Sequence, residues 1–329
     1  MNKTTYRKKK SKTLHDARRI ETLFYISIIA VPLFNFIVLQ FYQNYIDVFI
    51  FSFKSFNFET STFGINKDIF FNYRMVIQEV FNEPMWGYAF RNGIITSVVG
   101  LLAFPIDLII PLYITKKYFG YRVIKFILIL PGMISSMVWT LCFTFFVDRA
   151  LPMLFGWQFG PLSDPSKRLM TLIIKSIWLG LGGGVIMYTG LFSGIDQGII
   201  DAGQIDGLSF FGEWFHIYMP LTYSIWSLSF MTFFVGFFKG GESLVEFFGY
   251  TAGKEVITPG YLLFQRVMAG TGDMYADYGF NCAGSIIFTF ITLPITLLCK
   301  WALEKYGPSE DEATTRKGNG FKRSYEKFK

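Results

Sequence analysis

The sequence predicts an all-α, polytopic membrane protein with six transmembrane helices, and three observations lead there. The chain is 52% hydrophobic and 19% aromatic over 329 residues, more than a soluble domain of this size carries. The excess falls into long apolar runs, six of which approach the roughly 20 residues that cross a bilayer core, at about 23–46, 91–114, 126–147, 172–194, 217–238 and 280–301. The Lys and Arg residues cluster at alternate ends of these runs.

The charge pattern gives an orientation. Lys8, Lys9, Lys10, Arg18 and Arg19 precede the first run, and Lys116, Lys117, Arg122 and Lys125 flank the loop after the second. Lys300, Lys305, Arg316, Lys317, Lys322 and Arg323 follow the last. The connections on the other side are poorer in basic residues, so the positive-inside rule predicts that both termini are cytoplasmic. Residues 1–22 then form a basic cytoplasmic tail facing membrane lipid, 23–303 the membrane domain, and 304–329 a polar cytoplasmic tail. The first run exceeds a signal-peptide core and lacks a small-residue cleavage pattern, so it reads as a retained helix. Topology accounts for the net charge of +7, and no nucleic-acid partner is implied.

Several chemistries are excluded. His15 and His216 are too few and too far apart for metal-ligand spacing, so no metal site is expected. Cys142, Cys282 and Cys299 fall within predicted spans and read as small packing residues. A phosphate-binding loop needs G-x-x-x-x-G-K-[ST], whereas Gly253-Lys254 is followed by Glu255. No nucleophile-base pair is visible in the spans, so no catalytic residue, cofactor or ATP hydrolysis is assigned to this chain. The glycines of the fourth run, Gly180, Gly182, Gly183 and Gly184 and then Gly190, Gly194 and Gly198, predict close helix packing instead.

The most informative stretch lies between the fourth and fifth runs, within 196–220. From Ile200 to Pro220 it holds Asp201, Asp206 and Glu213 and no Lys or Arg, which calls for a protein partner rather than a lipid surface. Asp201 to Gln204 reads as the start of a short helix, and Asp206-Gly207 allows a turn through positive φ. A second short helix follows, with Leu208, Phe211, Phe215 and Met219 predicted on its apolar face and Ser209, Glu213 and His216 on another. Pro220 suits the start of the next membrane helix, where a missing N–H costs little.

These residues resemble the cytoplasmic coupling motif of binding-protein-dependent ABC importer permeases, written Glu-Ala-Ala, then Asp-Gly three residues on, then Ile-x-x-Pro. Here it reads Asp201-Ala202-Gly203, Asp206-Gly207, Ile217 and Pro220, with the spacing kept and two residues changed. Asp201 retains the charge of the usual Glu, and Gly203 lowers helix propensity by roughly 1 kcal/mol against the usual Ala. The segment Tyr188 to Asp196, YTGLFSGID, is similar to the approach segment of a subgroup associated with complex-carbohydrate uptake. The resemblance runs from about Trp178 to Pro220.

It implies a type I ABC importer permease fold, and transport of a sugar or oligosaccharide across a bacterial cytoplasmic membrane. It also implies three partners: a second permease subunit, an ABC ATPase dimer that docks on the elbow, and an extracytoplasmic solute-binding protein. A permease for a peptide or amino acid is the alternative, and an ATP-independent transporter the next. For the substrate path, chemistry alone nominates the intramembrane carboxylate Asp107, the aromatics Trp139, Trp178, Tyr188 and Trp226, and the amide Asn281. Asp107 also lies only nine residues before Lys116, close to the expected cytoplasmic interface. Lys175 is expected to snorkel to the outer interface. A short re-entrant or interfacial helix is expected near Pro259 to Met268.

Overall fold

The computed structural model describes residues 21–22, 24–30, 32–57, 62–65, 68–239, 242–268 and 276–307. The tails expected before residue 21 and after 307 lie outside these. The chain divides into two compact units, residues 1–76 with 275–286, and 77–274 with 287–329.

In the first unit an apolar helix α1 (Phe24–Val38) passes into a π-helical stretch, Asn35–Asp47, and a last turn, Val48–Phe51. A hairpin follows, β1 (Lys54–Asn57) and β2 (Thr62–Ile65), antiparallel with Lys54 opposite Ile65. The Asn72 amide fixes its base by donating to the Ser52 and Lys54 carbonyls, both at 2.8 Å. Phe51 meets Phe63 and Tyr278 edge-on at 5.0 and 5.2 Å. The hairpin is the one departure from all-α architecture among the described residues.

The remaining helices are α2 (Phe71–Asn82), α3 (Pro84–Thr115), α4 (Tyr121–Met133), α5 (Ser136–Phe155) and α6 (Pro165–Ser193). They continue with α7 (Gln197–Ile205), α8 (Phe210–Leu221), α9 (Tyr223–Lys239), α10 (Glu242–Phe248), α11 (Pro259–Met268) and α12 (Ala276–Tyr306). Helices α3, α5, α6 and α12 are each long and apolar enough to cross a membrane, and α8 with α9 makes a fifth, bent by 88°. With the shorter α1, this arrangement is compatible with six crossings.

Two predicted spans change their limits. The third, expected at 126–147, is interrupted, because α4 ends at Met133 and Ile134 and Ser135 are extended (ψ 146° and 135°) before α5 begins. Pro131 removes an N–H from the last turn of α4, and the chain does not recover the helix in line. At 13 residues α4 is too short to cross alone, and the membrane-length helix is Ser136–Phe155. The fifth span starts at Tyr223 rather than near Pro220. Pro220 lies within α8, and the chain bends at Thr222, whose hydroxyl donates to the Tyr218 carbonyl at 2.7 Å.

Packing centres on α3 and α6, with α4 against α6 and α9 against α3. Small residues permit the close approach. A Cβ on Gly182 would collide with the Leu128 carbonyl oxygen of α4, and one on Gly100 would lie 3.2 Å from the Phe233 ring of α9. The expected stripe Gly190, Gly194 and Gly198 does not pack a neighbouring helix. Helix α6 ends at Ser193, so Gly194 is its cap and Gly198 belongs to α7. At the other end of α6, Asp164 caps the first turn, accepting from the Ser166 N–H at 3.0 Å and hydroxyl at 2.7 Å. The Ser166 hydrogen bonds hold its carboxyl below the usual range.

The segment after α9 is pinned down by α3 and α6. Fully buried Asn92 donates to the carbonyls of Lys254 and Ile257, both at 3.0 Å. Lys175 does not snorkel: it is 2% exposed, with its ammonium 4.0 Å from Glu246 of α10 and 4.9 Å from the Phe247 ring. The same Glu246 oxygen accepts from Thr140 at 2.9 Å. A helix lying over the end of α6 gives the cation a partner that an isolated span does not offer. Asn92→Ala is expected to cost about 1–3 kcal/mol by leaving buried carbonyls unpaired. Asn92→Asp should cost at least as much, since an ionised carboxylate cannot donate. Thermal unfolding in detergent measures both, and unchanged midpoints would refute the clamp.

Candidate functional site

Helix α7 is capped by Asp196, whose carboxylate accepts from the Gly198 N–H at 2.9 Å, so the helix begins four residues before Asp201. Asp201 is therefore mid-helix and exposed, accepting from the Gln197 amide at 2.8 Å. The helix ends in a double hydrogen-bonded turn. The Gly207 N–H bonds the Gln204 carbonyl and the Leu208 N–H the Gly203 carbonyl, each at 3.0 Å. Gly207 closes it at φ 80°, a conformation that the absence of a Cβ makes inexpensive.

Ser209 caps α8, which is π-helical from Trp214 to Tyr218. Its buried face is not the predicted one. Glu213, Trp214, Ile217 and Tyr218 are buried and Phe210 half-buried, whereas Phe211 and Phe215 are each 57% exposed. Residues 210, 213, 214, 217 and 218 follow helical spacing as well as the predicted set does, and the second stripe was obscured because it contains a carboxylate. That carboxylate is neutralised from within the chain: Glu213 pairs with Lys116, which follows α3, and their side chains are only 4% and 12% exposed. Glu213 thus needs no external partner.

The motif residues form one elbow. Ile217 lies over Gly203, where a Cβ would come within 2.7 Å of its Cδ1 and 3.1 Å of the Leu208 Cδ1, so Gly203 makes room for the contact. Asp201, Ala202, Asp206 and Gly207 are exposed, and Pro220 sits in the final turn of α8. Ile200, Trp214, Ile217 and Tyr218 join a core with Phe104, Leu108 and Leu112 of α3 and Tyr188 and Phe192 of α6. The elbow is therefore seated on two membrane-length helices. Its outer surface carries Asp201, Asp206, Phe211, Phe215 and Ile205, the last 87% exposed.

A cavity of about 250 Å³ lies between α3, α6 and α9, lined among others by Thr96, Ser97, Asp107, Ser176, Thr232 and Phe233. Of the six candidate path residues, Asp107 alone lines it. Trp139 and Trp178 pack edge-on to each other at 5.1 Å, Tyr188 is 2% exposed in the elbow core, and the Trp226 indole donates to the Met219 carbonyl at 2.9 Å. Asn281 is buried and belongs to the first compact unit. Thr96, Ser97, Ser176 and Thr232 were not singled out from the sequence. They lie one or two to a helix on three separate helices, so no periodic pattern along the chain links them.

No protein-family model matches the chain. It is 28% identical over 153 residues to Protein LplB of Bacillus subtilis, covering 44% of this chain and 48% of that one. It is 31% identical over 109 residues to the maltose/maltodextrin transport system permease protein MalF of Escherichia coli K12, covering 31% of this chain and 21% of the relative. With the probable starch degradation products transport system permease protein AmyD of Thermoanaerobacterium thermosulfurigenes, the figures are 23% over 170 residues, 48% and 56%. The chain thus matches about half or less of the length of most of these relatives. A crystal structure of a bacterial ABC transporter involved in import of the acidic polysaccharide alginate superimposes with TM-score 0.67 at 16% identity, covering 90% of this chain and 99% of that one. A second structure of the bacterial alginate ABC transporter, in complex with an alginate pentasaccharide-bound periplasmic protein, gives 0.65 at 17%, covering 87% and 94%. The chain is a multi-pass membrane protein with the fold of an ABC importer permease, and in sequence it is a relative of the sugar-type permeases of that family.

Proposed function

We propose that the chain is a membrane-spanning permease subunit of an ATP-driven importer for a sugar or oligosaccharide. It pairs with a second permease, an ABC ATPase dimer and an extracytoplasmic solute-binding protein. One observation carries the coupling role: aromatic and acidic side chains project from an elbow whose own core is already filled. Exposed Ile205, Phe211 and Phe215 are costly on a surface that meets only water, and aromatic anchors are what protein interfaces use.

In this reading the termini and the elbow lie in the cytoplasm. Asp201 and Asp206 meet basic or amide groups of the ATPase, and the aromatics fill its groove. ATPase closure then moves α7 and α8 as one body, because Gly203 and Ile217 lock them together, and the motion passes through the bend at Thr222 into α9. Cargo moves uphill only if the two states bind it differently. Asp107 and the hydroxyl-bearing faces of α3, α6 and α9 form one wall of its path. The sugar class is supported by the relatives' names and by the hydroxyl groups of this wall, and nothing comparable favours a peptide or amino acid.

Phe211→Glu combined with Phe215→Glu is expected to abolish co-purification of the ATPase, with membrane insertion and the unfolding midpoint unchanged because neither ring is in the core. Undiminished ATPase recovery would remove the coupling role.

A further inference from the structure

We propose that Asp107 makes the membrane cavity charge-selective, admitting neutral or amine-bearing sugar rings and rejecting acidic ones. This rests on the importer reading for its biological meaning, but the selectivity is a property of the cavity itself.

Among the described residues, Asp107 is the only ionisable side chain lining the cavity. The basic group nearest in sequence along α6, Lys175, does not line it, and its ammonium is directed to Glu246 and the Phe247 ring. Asp107 is seated against α6 at Gly184, where a Cβ would lie 3.6 Å from its Oδ1, so the missing side chain leaves the carboxylate space beside the cavity. A carboxylate in a low-dielectric wall, with no described cation lining the cavity beside it, attracts donors and repels anions far more strongly than it would in water.

Two of the four hydroxyls around it reinforce the sign. Thr96 donates its proton to the Asn92 carbonyl at 2.8 Å, and Thr232 donates to the Ser229 carbonyl at 2.6 Å. Each is left with only lone pairs to offer the cavity. Together with Asp107 they tilt the wall toward acceptors, while the Ser97 and Ser176 hydroxyls can donate or accept. Its complement is a ligand rich in donors, such as the hydroxyls of a neutral sugar or an ammonium group. A uronate carboxylate brings a like charge against Asp107, and only the two serines could donate to it. The Phe233 ring supplies an apolar face for the ring carbons.

The test needs no knowledge of the cargo. In the full chain with its three native cysteines replaced, a cysteine is placed at Ser176, which lines the cavity. Its reaction rate with a cationic and with an anionic methanethiosulfonate reagent is measured at alkaline pH, each normalised to a free thiol in solution. The cation is expected to be favoured by about tenfold or more. Asp107→Asn should bring the ratio close to one, Asp107→Lys should invert it, and Asp107→Glu, which keeps the charge, should preserve it. A ratio unaltered by Asp107→Asn, or a Ser176 position that no reagent reaches, would overturn the proposal. Because no partner subunit takes part, that failure would leave the coupling role intact, and loss of the coupling role would leave this ratio unchanged.

Discussion

Lys116→Ala is expected to destabilise the protein by about 3–5 kcal/mol, because it strands Glu213 as an unpaired charge inside the elbow core. The loss should appear as a lowered unfolding midpoint and as exposure of the Trp214 environment. Replacing both partners by apolar residues of similar shape, Lys116→Met with Glu213→Leu, should recover most of it, since the penalty belongs to the orphaned charge and not to the absence of the pair. A double-mutant cycle decides the matter. If the two single changes simply add, the pair is not coupled and the elbow is held by its apolar core alone.

Gly182→Ala should separate α4 from α6 and cost about 1–3 kcal/mol, even though alanine is the better helix former by about 1 kcal/mol. The obstacle is the backbone carbonyl of Leu128, which cannot turn aside as a side chain can. The adjacent Gly183 supplies the control. Nothing lies within 4 Å of a Cβ built there, so Gly183→Ala should be neutral or stabilising. Equal effects at the two positions would show that helix propensity, and not the approach of α4, governs this stretch. Unfolding in detergent with the full chain distinguishes the outcomes.

The motif spacing falls on a stretch that folds as two short helices about Gly207, but the sequence misjudged which face of α8 is buried. Apolar periodicity treats Glu213 as an outward residue, so the stripe through residues 210, 213, 214, 217 and 218 was passed over for one through Phe211 and Phe215. The error follows from a long-range pairing: Lys116 precedes Glu213 by 97 residues, and no local pattern reports it. Lys175 was misread for the same reason, its partner Glu246 lying 71 positions further along on a helix that folds back over α6. The interruption of the third span was local and legible in retrospect, since Pro131 and Gly132 stand together inside the apolar run.

By itself the sequence determined that the chain crosses a membrane repeatedly and where it turns between the fourth and fifth crossings. Both follow from properties read along the chain: the length of apolar runs, and a turn that Gly207 closes cheaply at positive φ. Tertiary structure alone decided which charges are satisfied internally, which aromatics remain exposed on the elbow, and that Asp107 shares a cavity with hydroxyls from three helices. Those depend on residues brought together across long separations by helix packing, where a single glycine such as Gly182 or Gly203 sets how near two backbones or side chains approach.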